Sequence, residues 1–194
     1  MKLNKEWIHE TIIDSLNVKS AMSNECIDDI FKASELMIES IKNGKKILWC
    51  GNGGSAADAQ HMSAELMGGL RSHTRKPFES IALTTDTSFI TAWANDCSFE
   101  TIFSRQIEGL GSLGDVLIAI STSGNSKNVI NAVNKAKEIG FNCVGLTNKS
   151  GGEMKEICSV LIKIPSMDTQ RVQEGHILVE HILCEIVEAY FSNN

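Results

Sequence analysis

Proline is almost missing from this chain of 194 residues, with Pro77 and Pro165 the only two. No proline-rich or other low-complexity tract, repeat or linker interrupts it, so one domain, or slightly more, is expected. Basic residues are also in short supply, 18 against 24 acidic, for a net charge of −6. That balance lacks the basic face a nucleic-acid partner needs. It does not exclude an anionic ligand, because loop amides can hold a phosphate locally. No run of about 20 apolar residues exists, so no membrane span or membrane partner is expected. The first residues, Met1 to Glu6, have no apolar h-region, and no signal peptide is read there. The six cysteines, Cys26, Cys50, Cys97, Cys143, Cys158 and Cys184, form no C-x-x-C pair. Cys50 and Cys143 sit in apolar runs, where a reduced thiol packs as a small hydrophobe. Reduced cysteines and a cytoplasmic location follow.

Hydrophobic residues make up 42% of the chain, enough for an ordinary core. Residues 5–43 read as helical, with Ile8, Ile12 and Leu16 on one face. Ile27, Ile30, Phe31, Met37, Ile38 and Ile41 form a second stripe. Ser23 or Asn24 could cap that second helix and Gly44 could end it. The helical extension, residues 1–44, packs either on the body of the domain or in an oligomer. From Lys45 onward strand-like and helix-like runs alternate. The strand-like runs are 46–50, 80–84, 115–120, 142–147 and 159–164. The helix-like runs are 55–70, 87–109, 126–139 and 152–157, followed by a long last helix over 169–191. In that helix Val172, Leu178, Val179, Ile182, Leu183, Ile186 and Val187 are the apolar positions. The spacing is that of βαβ crossovers, which gives a mostly parallel α/β sheet covered on both faces. Arg71 to Pro77 is the best loop candidate.

Two loops stand out. Gly51-Asn52-Gly53-Gly54-Ser55 follows Ile47–Cys50, and Ser121-Thr122-Ser123-Gly124-Asn125-Ser126 follows Val116–Ile120. Each lies at the carboxyl end of a strand and opens a helix, where free N–H groups and the helix dipole favour an anion. Ligands of such sheets bind outside the carboxyl ends of the strands. Gly51-x-Gly53-x-x-Ala56 fits the form of a dinucleotide fingerprint, which expects an acidic residue about 20 positions on. Asp86, at the end of the second strand-like run, is 30 positions past Ala56, which argues against a nicotinamide cofactor. No G-K-[ST] follows either loop, which argues against a nucleoside triphosphate. One hydroxyl suffices to cap a helix. Four of them, Ser121, Thr122, Ser123 and Ser126, read better as a cradle for the phosphate of a small molecule.

His61 and Glu65 are spaced i, i+4 and share a helix face. Such a pair can bind a divalent metal, place a carboxylate base beside an imidazole, or be a plain solvated pair. The last helix carries Gln173, His176, Glu180 and His181. Gln173 and His181 lie roughly 80° apart around that helix and about 12 Å apart along it, a stretched geometry for one metal ion. Each histidine could equally be a buried, hydrogen-bonded residue. Asn95-Asp96 reads as a turn after a helix at 87–94, or as a pair that binds sugar hydroxyls.

Together these residues resemble the sugar isomerase (SIS) domain family and, within it, its phosphoheptose isomerase branch. The likeness rests on Cys50–Ser55, Asp58-Ala59-Gln60-His61 with Glu65, Ala94-Asn95-Asp96, Phe103-Ser104-Arg105-Gln106, Ile120–Ser126, and Arg171-Val172-Gln173-Glu174 with His181. It covers nearly the whole chain. The resemblance implies a single SIS domain over residues 1–194, a flavodoxin-like αβα sandwich on a five-stranded parallel sheet. It also implies a homotetramer with active sites shared between subunits. By matching positions, His61, Glu65, Gln173 and His181 would hold one zinc ion per subunit, and Glu65 and His181 would be the acid–base pair. Asn52, Gly53, Gly54, Ser55, Asn95, Asp96, Ser121, Thr122, Ser123 and Ser126, with Glu65 and Gln173, would bind the substrate. No nucleotide cofactor is implied. One departure stands out: the family pattern has an arginine where this chain has Gly69, and Arg71 is the nearest substitute.

The activity so implied is an aldose–ketose isomerisation through an enediol, from sedoheptulose 7-phosphate to D-glycero-D-manno-heptose 7-phosphate. That reaction would begin activated-heptose supply for lipopolysaccharide, capsule or another surface glycan. The alternatives are a non-catalytic relative that associates with the bacterial replication initiator, and a sugar-phosphate sensor. The relative of the first kind lacks the glutamate and the last-helix histidine that this chain retains as Glu65 and His181.

Overall fold

β1 (Ile47–Gly51) and β3 (Val116–Ile120) are buried at every position, so both faces of each strand must be covered. A computed structural model, which describes residues 4–192, shows how. The reading of Met1 to Leu3 as leaderless lies outside these residues. With β2 (Ser80–Ala82), β4 (Asn142–Asn148) and β5 (Val160–Ile164), the strands form one parallel sheet in the order β2-β1-β3-β4-β5. This is the flavodoxin-like order, in which the chain reverses its direction of winding between β1 and β3. The expected fold class is therefore the observed one.

The helices are α1 (Lys5–Glu25), α2 (Ile27–Lys42), α3 (Gly54–Gly68), α4 (Thr87–Asp96), α5 (Ile102–Leu110), α6 (Lys127–Ile139) and α7 (Thr169–Ser192). Strand residues alternate between two cores. Ile47, Trp49 and Ile118 join Met37, Met62, Val179 and Leu183 on one face. Leu48, Cys50 and Leu117 join Phe103, Ile107, Val133 and Ala136 on the other. Trp49 is fully buried, and its indole N–H donates to Ser80 Oγ at 2.9 Å. Among the described residues no helix is long and apolar enough to cross a membrane.

Several boundaries differ from the sequence reading. Neither Ser23 nor Asn24 caps α2. Cys26 stands at its N-terminus with no side-chain cap bond, so α1 and α2 meet almost without a break. The run 87–109 is two helices, parted by a 3₁₀ turn at Phe99–Thr101 that Ser98 caps. Asn95 and Asp96 therefore close α4 instead of following it. In the second stripe Ile30 and Met37 are buried, while Ile27 and Phe31 face outward, each 58% exposed. Leu178 likewise turns outward from α7.

The loop after α3 is held by one carboxylate. Glu188 of α7, 3% exposed, accepts the backbone N–H groups of Leu70, Arg71 and Ser72 at 2.9, 2.6 and 2.9 Å and Arg75 Nε at 2.7 Å. Burial alone would raise its pKa. The Arg75 bond and the three amides outweigh that and hold it below the ordinary carboxylate value. Arg75 lies over the Phe78 ring and donates to the Glu65 carbonyl at 2.8 Å, so the clamp also secures the last turns of α3. Arg75→Ala, which strands a buried carboxylate, should lower unfolding free energy by about 3 kcal/mol or more in urea titrations. Arg71→Ala, which removes an exposed pair with Glu185, should cost less than about 1 kcal/mol in the same assay.

Candidate active site

α3 and α6 both start at the crevice where the winding reverses, and neither has a side-chain cap. Gly53 adopts φ +58, which brings the chain into α3 on a backbone that a side chain would strain. Ala56 and Ala57 donate back to its carbonyl at 3.1 and 3.2 Å. The first amides of α3 are left for an anion. The second loop is tied inward: Ser121 Oγ donates to Ser126 Oγ at 3.0 Å, and Ser123 Oγ accepts the Asn125 N–H at 3.1 Å. Gly124 (φ +68) packs against the Gly151 backbone, where a Cβ would collide. The structure thus places Gly53, Gly54, Ser55, Ser121, Thr122, Ser123 and Ser126 at neighbouring strand ends, as expected.

Asn52 is there too, but its side chain is engaged. It exchanges two amide hydrogen bonds with Asn128 of α6, both 2.8 Å. Asn95 and Asp96 are exposed, and Asn95 Nδ2 donates to Asp96 Oδ1 at 2.7 Å, so they pair with each other and not with either loop.

α7 runs alongside α3 in the same direction. His61 Nε2 lies 3.1 Å from Glu65 Oε1. The His61 and His181 rings meet edge to face at 5.0 Å, and Cys184 packs on Met62 with 3.9 Å between sulfurs. His181 Nδ1 donates to the Ile177 carbonyl at 2.8 Å, which leaves Nε2 free as an acceptor or ligand. Glu65, His61 and His181 are thereby brought together. Gln173 sits lower, where a Cβ built on Gly54 would come within 2.7 Å of its Nε2. Two imidazoles, a carboxylate and an amide are donors that a divalent ion of the zinc type accepts. Among the described residues, however, no three His, Cys, Asp or Glu side chains stand in ready coordination geometry. Arg71, the arginine nearest to Gly69 in sequence, pairs with Glu185, one turn beyond His181.

Three residues of this region were not assigned by sequence reasoning. Asn128 is one. The second is Asp58, one turn before His61 on α3. Partial burial raises its pKa, and His61 and His181 oppose that rise. The third is Glu180, fully buried and, among the described residues, with neither carboxyl oxygen partnered. Burial, helped by the charge of Asp58, pushes its pKa up to about 8. Its position on the buried stripe of α7 with Val172, Val179, Leu183 and Val187 was a readable signal. His176 takes the structural alternative: it is fully buried and its Nε2 donates to the Thr147 carbonyl at 3.2 Å. Burial lowers its pKa to about 4.

The SIS domain family model matches residues 13–148. A phosphoheptose isomerase of Aliarcobacter butzleri is 53% identical over 162 residues, 84% of this chain and 85% of that one. One from Campylobacter jejuni serotype O:6 is 53% identical over 190 residues, 97% and 98% of the two chains. This chain belongs to the phosphoheptose isomerase family of SIS-domain proteins. Its fold agrees: the phosphoheptose isomerase GmhA of Neisseria gonorrhoeae superposes with a TM-score of 0.90 at 41% identity, covering 95% of this chain and 98% of that one. It is accordingly a sugar-phosphate isomerase.

Glu180 supplies a pH test of the buried face. Its folded pKa is about 8, above the unfolded carboxylate value, so the native state holds a proton that the unfolded chain gives up. Stability then falls as pH rises from the unfolded value towards 8. Relative to wild type, Glu180→Gln should gain about 3 to 4 kcal/mol between pH 5 and pH 8, read from thermal melts at several pH values.

Proposed function

We propose that this isomerase converts sedoheptulose 7-phosphate to D-glycero-D-manno-heptose 7-phosphate, with Glu65 and His181 as its acid–base pair. The observation that carries the assignment is the cluster of His61, Glu65 and His181, with the 3.1 Å His61–Glu65 contact and the 5.0 Å ring contact, on the helix that leaves the first glycine loop. Moving a carbonyl from C2 to C1 requires a proton to leave C1, an enediol, and a proton to arrive at C2. The Glu65 carboxylate carries the carbon-bound proton. Where Nε2 is not taken by a metal, the His181 imidazole exchanges protons with the two oxygens through it, while its Nδ1–H stays on the Ile177 carbonyl. No electron leaves the sugar, so no redox cofactor is needed.

The phosphate is held by the amides and hydroxyls of Gly53, Gly54, Ser55, Ser121, Thr122, Ser123 and Ser126, with Asn52 behind them. Asn95 and Asp96 are assigned to sugar hydroxyls. The phosphate supplies binding energy remote from the reacting carbons and orients them. A zinc ion is assigned to His61, Glu65 and His181; Gln173, the fourth ligand by resemblance, would have to swing its amide up from beside Gly54 to close the set. When bound, it would polarise the carbonyl and stabilise the enediolate. The chemistry of these donors and the free Nε2 of His181 support that assignment.

The working form is proposed to be a homotetramer in the cytoplasm, with active sites shared between subunits. Trp7, Ile8, Ile12 and Leu16 of α1 are all more than half exposed, and a second copy of the chain would cover them. The product would enter activated-heptose synthesis for a surface glycan.

Glu65→Gln should lower kcat for sedoheptulose 7-phosphate by about 10³-fold with the melting temperature nearly unchanged, in a discontinuous assay of heptose product. Wild-type protein that is stabilised by the sugar phosphate but forms no product would point instead to a sensor. His61→Ala should lower the zinc content of the purified protein, measured by elemental analysis, well below that of wild type.

A further inference from the structure

The ladder between β1 and β3 ends at Gly51 and Ile120. Beyond that pair each strand turns into one of the two loops assigned to the phosphate, and no backbone pairing continues between them. The second loop keeps its own anchors on β4: Ser121 N–H donates to Leu146 O at 3.0 Å, and Asn148 N–H donates to Thr122 O at 2.9 Å. The first loop has no such anchor on the second. Among the described residues, the hydrogen bonds that join residues 51–55 to residues 121–130 are the two exchanged by Asn52 and Asn128.

The form of that pair matters. Each amide donates to and accepts from the other, so the two groups lie face to face in one closed ring of hydrogen bonds. A single bond would let the loops hinge, whereas a closed pair fixes both separation and orientation. Asn128 is only 3% exposed and sits in the first turn of α6, rigidly attached to the second loop. Asn52 lies between Gly51 and Gly53, neither of which has a side chain to pack. Away from water such a pair is strengthened, and losing one member leaves the other unpaired.

We propose that Asn128 is a positioning residue for the sugar-phosphate site. Through Asn52 it sets the spacing of the two phosphate loops, without touching the ligand. The inference rests on the isomerase reading given above. It assigns Asn52 a holding role for its side chain, and leaves the grip on phosphate to the neighbouring amides and hydroxyls.

The test is a double-mutant cycle on steady-state kinetics with Asn52→Ala, Asn128→Ala and the double variant. Asn128→Ala should raise KM for sedoheptulose 7-phosphate about tenfold and leave kcat within about threefold, since only ground-state and transition-state binding of the phosphate are weakened together. In the Asn52→Ala background the same change should add almost nothing. Additive effects, or a fall in kcat at constant KM, would overturn the proposal. If Asn128→Ala fails to fold, Asn128→Leu, similar in volume and unable to hydrogen-bond, takes its place with the same expected outcome. Wild-type turnover is measured first. Its absence would remove the isomerase reading and not this one, which is then judged by thermal-shift titration with the same sugar phosphate. Weaker stabilisation of the Asn128 variant supports it. Equal stabilisation, or none in wild type, overturns it.

Discussion

The packing of α7 alongside α3 is the constraint on which the site depends. Both helices are long, and they run in the same direction, so residues seven apart on one meet residues eight apart on the other. Gly54 meets Gln173, and His61 meets His181. Gly54 has no side chain in the way of the Gln173 amide, and Met62 and Cys184 fill the seam with soft, adaptable groups. With α3 begun at the first glycine loop, this packing brings the last helix, more than a hundred residues later in sequence, to the chemistry at the strand ends.

The same packing loads the buried face of α7 with polar groups, and each is settled differently. Glu188 is ionised and receives four donors. His176 is neutral and spends one nitrogen on the Thr147 carbonyl, leaving Nδ1 without a partner among the described residues. Glu180 receives nothing among the described residues, and burial keeps its proton on. The order follows from supply. Glu188 faces a loop whose turn exposes three successive amides, whereas Glu180 faces helix surfaces whose amides are already used. Of the three, only Glu188 adds order to the site, since Arg75 carries its charge on to the carbonyl of Glu65.

Periodicity made the sheet legible. Alternation from Lys45 onward placed all five strands within a few residues of their observed limits, because a doubly covered parallel sheet needs continuous apolar runs of this length. Local spacing was equally sufficient for His61 and Glu65. What spacing within one helix could not supply was the neighbour: the separation between Gln173 and His181 looked too stretched for a shared site, and only the second helix beside them shows how each meets a different level of α3. Polar pairs between distant segments were invisible for the same reason. Asn52 drew notice because it lies in a glycine loop, and Asn128 passed unnoticed because a single asparagine in the first turn of a helix has many local explanations. The break at Phe99–Thr101 was missed because the apolar positions continue across it, and a capping serine is a weak signal inside a long helical pattern.

The arrangement also acts as a ruler. On the assignments proposed above, the phosphate loops lie at the level of Gly54 and the His181 imidazole at the level of His61, seven residues on, which is about 10 Å along an α-helix. From C1 to phosphorus a seven-carbon sugar phosphate has eight bonds. At the projected rise of an extended chain, about 1.2 Å per bond, they span roughly the same 10 Å. A five-carbon sugar phosphate has six such bonds and falls short by about 2 Å, more than the precision proton transfer tolerates. On that reading, the distance that separates anion binding from acid–base chemistry along α3 would itself favour a seven-carbon sugar. It is set by helix geometry and by the fixed spacing of the two loops, and needs no side chain that recognises the length of the sugar.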